Sequence, residues 1–308
     1  MNQYMKSAVY GVAAGDALGC PVQFESRAEV KRHPVTDMRG YGTFNLPEGS
    51  WTDDTSLTLA ALASIKEKNG IDADDIMERF CDWMYDGAYT PYGFSYDIGN
   101  GTRNAINAYH NGADVYHCGS TAEYNNGNGS LMRIIPVCVW CALNVPDEKE
   151  AVKLIDLVSG LTHNTERAKT ACGLYGFMVN ALIHEEGSLK EKLQKGMDRG
   201  IAYYKAADTA ELRTYHRLFD LDAFAKTQAD RIESSGYVVD AFEAAVWSLI
   251  TTNSFKEALL KAVNLGDDTD TVAAIAGGLG GLYYGLDAIP QNWFESLKNK
   301  ELFENLLD

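Results

Sequence analysis

The chain has 308 residues, of which 46% are hydrophobic and 23% charged, a composition typical of globular proteins with a substantial core. Its 43 acidic and 27 basic residues give a net charge of −16. This balance argues against nucleic acid or an anionic membrane as a partner, because both require a basic footprint. A phosphate-bearing substrate would have to be held by local donors or by bound cations.

Helical signals recur along the chain. The segment TDDTSLTLAALASIKEKNG begins with capping residues, continues with good helix formers, and ends with Lys66, Lys68 and the stop signal Gly70. A further helix is predicted from Pro146, through acidic residues of a first turn, to Gly160. These segments indicate a helical protein.

The same signals continue in the second half of the chain. Ser254 and Glu257 have the spacing of a capping box ahead of the segment ALLKAVNLG. The segment DAFEAAVWSLI places four apolar residues on one stripe of helical period, namely Phe242, Val246, Leu249 and Ile250. Alternating strand-like runs are scarce, and no low-complexity linker or internal repeat interrupts the chain. We therefore predict a single, mostly helical domain over residues 1–308.

Cysteine usage and hydropathy bear on the compartment. The six cysteines are scattered, and we predict that Cys138 and Cys141 lie in a buried helix rather than in a redox or zinc site. The N-terminal apolar stretch is interrupted by Asp16 and does not resemble a signal peptide. No uncharged apolar run is long enough to span a bilayer. We expect a cytoplasmic protein with no membrane partner.

Two acidic clusters stand at predicted helix starts. The first is Thr52-Asp53-Asp54-Thr55, and the second is Asp267-Asp268-Thr269-Asp270-Thr271, which runs directly into the small apolar segment VAAIAGGLGG. Asp and Thr are good N-caps, but one cap needs only one such residue. If the clusters meet, their carboxylate and hydroxyl oxygens form a set that suits Mg²⁺, Mn²⁺ or Ca²⁺ rather than zinc. The composition leaves metal binding and surplus capping as open alternatives.

Other acidic motifs were compared with the second cluster. An EF-hand loop would need Gly at position 6 and Glu at position 12, and neither fits a register that starts at Asp267 or Asp268. The segment from Asp268 to Val272 matches the nucleophile motif of haloacid-dehalogenase phosphatases, which follows a β-strand. The residues before it have a helical pattern, so the phosphatase stays only as an alternative reading, with Asp268 as its nucleophile.

Two further loops carry unusual polar residues. The segment NNGNGSLMR is glycine-rich without the Gly-Lys-Ser/Thr ending of a Walker A motif, and is either an ordinary turn or a backbone nest for a pyrophosphate. His163, in the segment THNTE, is the one histidine that lies beside other unusual polar residues.

The order of these motifs resembles that of the ADP-ribosylglycohydrolases. From residue 11 to about 285 the chain carries, in sequence, GVAAGDALGCPVQFE, GSWTDDTSLTLA, YDIGNGTRNA, GNGSLMRIIPV, THNTERA and NLGDDTDTVAAIAGGLGGLYYG. The resemblance implies an all-α fold, a single compact orthogonal helical domain with a binuclear metal cleft. It also implies hydrolysis of the N- or O-glycosidic bond between ADP-ribose and an acceptor side chain, which reverses mono-ADP-ribosylation.

The resemblance also implies roles for individual residues. Two Mg²⁺ or Mn²⁺ ions would be held by Thr52, Asp53, Asp54, Asp268, Asp270 and Thr271. Asp267 is left out of this set, because the family often has Gly at that position. Glu25 matches an acid on a mobile loop and is, with Asp268, a catalytic candidate. The substrate-binding candidates are Asp97, Asn126, Gly127, Asn128, Gly129, Ser130, His163 and Tyr237.

The expected partner is an ADP-ribosylated protein or a small ADP-ribosyl substrate, with no nucleic acid. A protein of the same fold that binds ADP-ribose without turnover is the main alternative. The sequence leaves open the acceptor linkage, the choice between Mg²⁺ and Mn²⁺, and whether Glu25 or a metal-held water transfers the proton.

Overall fold

A computed structural model describes residues 2–307, and the regular structure of this part of the chain is helical. The α-helices of the described residues, in chain order, are α1 (Gln3–Gly19), α2 (Arg27–Arg32), α3 (Asp53–Lys68), α4 (Ala73–Asp86), α5 (Asn100–His110), α6 (Ile135–Asn144), α7 (Glu148–Gly160), α8 (Glu166–His184), α9 (Leu189–Ala206), α10 (Leu221–Phe224), α11 (Val238–Ile250), α12 (Phe255–Val263), α13 (Thr269–Tyr284), α14 (Gln291–Ser296) and α15 (Lys300–Leu307). Short 3₁₀ segments lie at Cys20–Val22, Val115–His117, Glu123–Asn125, Leu131–Arg133, Ala210–Phe219, Ala229–Arg231 and Leu286–Ala288.

Extended pairing within residues 2–307 is limited to two isolated bridges. Ser120 pairs with His163 in parallel, and Gly127 pairs with Tyr237 in antiparallel orientation. Neither bridge extends into a ladder. The all-α prediction is confirmed, while the organisation of residues 1–308 as one domain stays a prediction.

The predicted helix boundaries hold to within a few residues, with two differences of detail. Helix α3 ends at Lys68, and the stop is Asn69 in a left-handed conformation (φ 49°) rather than Gly70. Asn reaches this region more easily than most residues, so it can replace Gly at such a cap. The Glu257 carboxylate accepts from the amide of Asn253 at 3.1 Å instead of from Ser254, so the predicted capping box is only half formed.

Helices α1 and α13 pack against each other in antiparallel orientation at very short range, with close backbone contacts from Ser7 and Gly281 to Gly19 and Asp270. A Cβ atom on Gly11 would lie far inside contact distance of the Gly277 carbonyl, and one on Gly15 would meet the backbone of Ala273. The Thr269 hydroxyl donates to the carbonyl of Gly19 at 2.8 Å, which joins the start of α13 to the end of α1. The small residues of the α13 segment therefore allow the predicted close backbone packing.

A continuous set of buried apolar side chains surrounds this helix pair and includes residues of every described α-helix except α2. Cys138 and Cys141 lie in α6 and are buried free thiols, as predicted. Within residues 2–307, no helix combines the length and the apolar character needed to cross a membrane.

Candidate active site

The two acidic helix starts lie against each other at the floor of a cleft. The hydroxyl of Thr271, in the first turn of α13, donates to Asp54 Oδ2 at 3.3 Å. The hydroxyl of Thr52, at the start of α3, reaches the same oxygen at 3.3 Å. Residues more than 200 positions apart in the chain thus form one polar cluster, and this cluster is buried.

Asp16 completes the cluster and was not among the residues that the sequence singled out. It lies in the last turn of α1, and its carboxylate accepts from the amides of Thr52 at 2.9 Å and Thr55 at 3.0 Å and from the Thr55 hydroxyl at 2.6 Å. Asp16 therefore caps α3 from a neighbouring helix. Burial raises the pKa of Asp16 to about 7, and the hydrogen bonds from Thr55 and Thr52 oppose this rise.

Burial and mutual repulsion disfavour the charged forms of the acids around Asp16. Burial, followed by the charges of Asp97 and Asp54, raises the pKa of Asp53 and of Asp270 well above the usual range. Burial also raises the pKa of Asp54 well above that range, with the charges of Asp16 and Asp268 adding to it. A cluster of this kind is stabilised either by protons or by bound cations.

The oxygen atoms of the cluster form a donor set that fits a divalent cation in part. Asp54 Oδ1 and Asp270 Oδ2 are buried carboxylate oxygens without a hydrogen-bond partner in the structure. Unpartnered buried oxygens are costly, and hard cations take such ligands. Within residues 2–307, however, no group of three Asp, Glu, His or Cys side chains is arranged so that it could hold a metal ion. A cation here would thus also draw on the hydroxyls of Thr52 and Thr271 or on a change of rotamers.

Above this floor lies a cleft of about 750 Å³. Its lining includes Gln23, Phe24, Asp53, Asp97, Tyr124, Asn125, Gly127, Asn128, Gly129, His163, Gly236, Asp267, Asp268 and Thr271. The side-chain amide of Asn128 donates to Asp268 Oδ2 at 2.6 Å and so holds this carboxylate at the cleft wall. A separate cavity of about 520 Å³ among α6 to α9 is lined mainly by apolar residues and contains none of the acid cluster. The larger cleft is therefore the site where the polar chemistry is concentrated.

The predicted glycine-rich loop forms one wall of the cleft. The backbone N–H of Asn128 donates to the Gly236 carbonyl at 3.0 Å, and the backbone N–H of Val238 donates to the carbonyl of Asn126 at 2.9 Å. These two bonds hold the loop against the start of α11. A Cβ atom on Gly129 would lie 3.2 Å from His163 Nε2, so a residue with a side chain here would press against the imidazole.

His163 is buried beside this loop as a neutral hydrogen-bond donor. Arg133 donates to the Thr162 hydroxyl at 2.7 Å, and this hydroxyl lies 2.8 Å from His163 Nδ1. Because arginine can only donate, the hydroxyl is free to donate its own hydrogen to Nδ1, which leaves the hydrogen of the imidazole on Nε2. Burial, with a smaller contribution from the positive Arg133, lowers the pKa of His163 to about 3. The cleft therefore meets an uncharged imidazole.

Asp97 reaches the cleft from the segment before α5. It has a left-handed backbone (φ 55°) and lines the cleft beside Asp268. Burial raises the pKa of Asp97 to about 6, and the side chain of Gln23 opposes this rise. This position agrees with the predicted substrate contact, whose role stays a prediction.

Three of the predicted substrate residues lie beside the cleft rather than in its lining. Ser130 is fully buried, and its hydroxyl accepts from that of Ser159 at 2.9 Å. Asn126 donates to the Glu123 carbonyl at 2.6 Å. The Tyr237 hydroxyl accepts from Arg167 at 3.1 Å, which directs the ring toward α8. These side chains support the loop, while their contact with a substrate stays a prediction.

The loop after α1 places Gln23 and Phe24 in the cleft lining, while the catalytic role expected of Glu25 stays a prediction. Phe24 donates from its backbone to the Asp267 carbonyl at 2.7 Å, and Asp267 donates back to the carbonyl of Glu25 at 2.8 Å. Glu25 itself is half-buried and its side chain is not part of the cleft lining, whereas Gln23 is. Phe24 adopts a left-handed backbone (φ 69°), and its ring is 67% exposed in the cleft lining.

Aromatic residues near the site divide between core and surface. Trp51 is fully buried and packs edge-on against Phe303 at 5.7 Å between ring centroids. Phe94 is 50% exposed, and its ring stacks on Tyr92 and lies tilted against Tyr96, each at 6.0 Å between ring centroids. The exposed rings therefore lie on the segment that precedes Asp97 in the chain.

Comparison with known proteins agrees with this geometry. The ADP-ribosylglycohydrolase family profile matches residues 3–308. The ADP-ribosylarginine hydrolase Tri1 of Serratia proteamaculans is 34% identical over 304 residues, covering 98% of this chain and 77% of that protein. The ADP-ribosyl-[dinitrogen reductase] glycohydrolase of Rhodospirillum rubrum is 32% identical over 301 residues, covering 95% of this chain and 90% of that protein. A solved structure described as an ADP-ribosylglycohydrolase-related protein complex superposes with a TM-score of 0.79 at 31% identity, covering 99% of this chain and 95% of that one.

The chain belongs to the ADP-ribosylglycohydrolase family, whose members cleave the glycosidic bond between ADP-ribose and an acceptor. The resemblance seen in the sequence is confirmed. The phosphatase alternative lacks its structural context, because α12 and a short turn precede Asp268 where that motif requires a β-strand.

Proposed function

We propose that this protein hydrolyses the N-glycosidic bond between ADP-ribose and an arginine side chain of a modified protein, with the help of divalent cations, in the cytoplasm. The arginine linkage is supported by the names of two relatives, the Tri1 hydrolases of Serratia proteamaculans and Pseudomonas putida, at 34% and 32% identity. The observation that carries the proposal is the single buried acid cluster at the cleft floor, with its two unpartnered carboxylate oxygens.

The donor set suits two Mg²⁺ or Mn²⁺ ions held by Thr52, Asp53, Asp54, Asp268, Asp270 and Thr271. Such ions, when bound, would offset the carboxylate charge and act as Lewis acids toward water and the sugar hydroxyls. Oxygen ligands of this type do not discriminate strongly between the two metals.

The residues of the chain have three tasks in this proposal. Asp268, held by Asn128, presents a carboxylate to the anomeric carbon, where positive charge develops as the leaving group departs. The loop from Gly127 to Gly129 lets the backbone approach the pyrophosphate without a side chain in between. His163 offers its Nε2–H to the same substrate without adding charge, because it stays neutral at physiological pH.

The proposal is tested by following ADP-ribose release from arginine-modified protein with Mg²⁺, with Mn²⁺ and with EDTA. We expect Asp268→Asn and Asp270→Asn to lower kcat at least 100-fold, because each removes a carboxylate from the floor of the site. Serine- and glutamate-linked ADP-ribose serve as linkage controls. Turnover that survives both substitutions and chelation would contradict the two-metal proposal, and binding of ADP-ribose without release from any linkage would favour the non-catalytic alternative.

A further inference from the structure

Gln23 is a buried polar residue of the cleft wall whose role the motifs do not explain. It follows the 3₁₀ turn Cys20–Val22 at the end of α1 and is 5% exposed. Its backbone is held in place, since the Thr43 hydroxyl donates to the Gln23 carbonyl at 2.6 Å. The side chain lines the cleft together with Asp97 and Asp268.

The two ends of the Gln23 amide have different surroundings. The side chain lines the cleft with Asp97 and Asp268, and it opposes the rise in the pKa of both carboxyl groups, as a hydrogen-bond donor does. Ionised carboxylates only accept hydrogen bonds, so the amide nitrogen is the end that faces them. Because the nitrogen and the oxygen diverge from one carbon, the oxygen is directed away from these carboxylates.

The amide oxygen, Oε1, is buried and has no hydrogen-bond partner in the structure. A buried acceptor left unpaired costs about 1–3 kcal/mol. A ligand that brings a hydroxyl or an N–H to this point would remove that cost. The oxygen is therefore an available acceptor for a donor group of a ligand in the cleft.

Glu25 is two residues further along the same loop and has a different environment. Its carbonyl accepts from the amide of Asp267, while its half-buried side chain stays outside the cleft lining. The two residues of this loop can thus be compared directly by substitution.

We propose that Gln23, rather than Glu25, is the residue of this loop that contacts the substrate, and that its amide oxygen accepts a hydrogen bond from a hydroxyl of the ribose over the acid floor. The inference rests on the proposed function, because it takes ADP-ribose as the ligand. Gln23 is then a neutral binding residue that selects for the ribose. It does not transfer a proton, because a carboxamide does not titrate in the physiological range.

The experiment compares the binding of ADP-ribose with that of ADP, which lacks this ribose, by calorimetry in Mg²⁺. We expect Gln23→Leu to bind ADP-ribose about tenfold more weakly and to bind ADP as the wild type does. Gln228→Leu is the matched control, since Gln228 is exposed and makes no capping bond with its side chain.

Two results would overturn the inference while leaving the proposed function intact. One is an equal loss of ADP and ADP-ribose affinity in Gln23→Leu, which would indicate a merely structural role. The other is the reverse pattern, in which Glu25→Gln loses the ribose-dependent affinity and Gln23→Leu keeps it. A wild-type protein that binds neither ligand would instead contradict the proposed function itself.

Discussion

Asp16 shows how one side chain can organise a site without lying in its cleft. It is completely buried in α1, yet its carboxylate binds two amides and a hydroxyl at the start of α3. Fixing the start of α3 in this way also fixes the direction of Asp53 and Asp54. A charged side chain is rarely buried so fully unless its oxygens are paired.

We expect Asp16→Ala to lower the free energy of unfolding by about 2 kcal/mol or more, because two amides and a hydroxyl would be left unpaired in the interior. Chemical denaturation followed by circular dichroism measures this change. Asp147→Ala is the matched control, since Asp147 caps α7 with a side-chain bond to the Glu150 amide at 2.9 Å in an exposed position. That substitution should cost about 1 kcal/mol. Equal losses in the two variants would contradict the role assigned to Asp16.

Single residues also mark the limit of what the sequence could predict. The acid clusters at Thr52 and Asp268 were recognisable because several carboxylates stood at each helix start. Asp16 was passed over as an interruption of an apolar helix, although a lone acid among small apolar residues was itself a signal of pairing. The choice between Gln23 and Glu25 depends on the turn after α1, and no residue pattern indicates which way a side chain points after such a turn.

Among the elements, the antiparallel packing of α1 against α13 determines where the two acid clusters meet. The helices approach closely through Gly11, Gly15 and Gly277, and their register places the start of α13 beside the end of α1. The helices themselves were predictable from caps and periodicity. Their pairing was not, because it depends on contacts between segments that are distant in sequence.

We expect Gly277→Ala to destabilise the protein by about 3 kcal/mol, since the added methyl group would press on the backbone of Gly11, which cannot move aside. Thermal unfolding and ADP-ribose binding should both be impaired. Gly280→Ala is the control in the same helix, because its Cβ would meet the Phe255 ring at 3.2 Å, a side chain that can shift. Its cost should be offset by a gain in helix propensity of about 1 kcal/mol. A tolerated Gly277→Ala would show that α1 and α13 have room to separate at this point.

For the molecule as a whole, the net charge of −16 and the buried acids lead us to expect that cations stabilise the fold. If the floor binds Mg²⁺, a concentration 100 times the dissociation constant should stabilise the fold by about 2.7 kcal/mol. The measurement is the melting temperature during a Mg²⁺ titration, with NaCl at matched ionic strength to account for general screening. The Asp54→Asn/Asp270→Asn double variant should lose most of the Mg²⁺ effect. An equal rise in melting temperature in the wild type and the double variant would show that Mg²⁺ stabilises the protein by acting on surface charge.

The pairing of α1 with α13 also has a consequence for biosynthesis. The hydroxyl of Thr269 binds a carbonyl 250 residues earlier, so the partner of α1 leaves the ribosome only when most of the polypeptide has been made. Until then the glycine-lined face of α1 has no helix to pack against, so the central helix pair of the nascent chain cannot form. Premature release of a shortened product would therefore yield a species that exposes apolar surface and is prone to aggregate, rather than a smaller working enzyme.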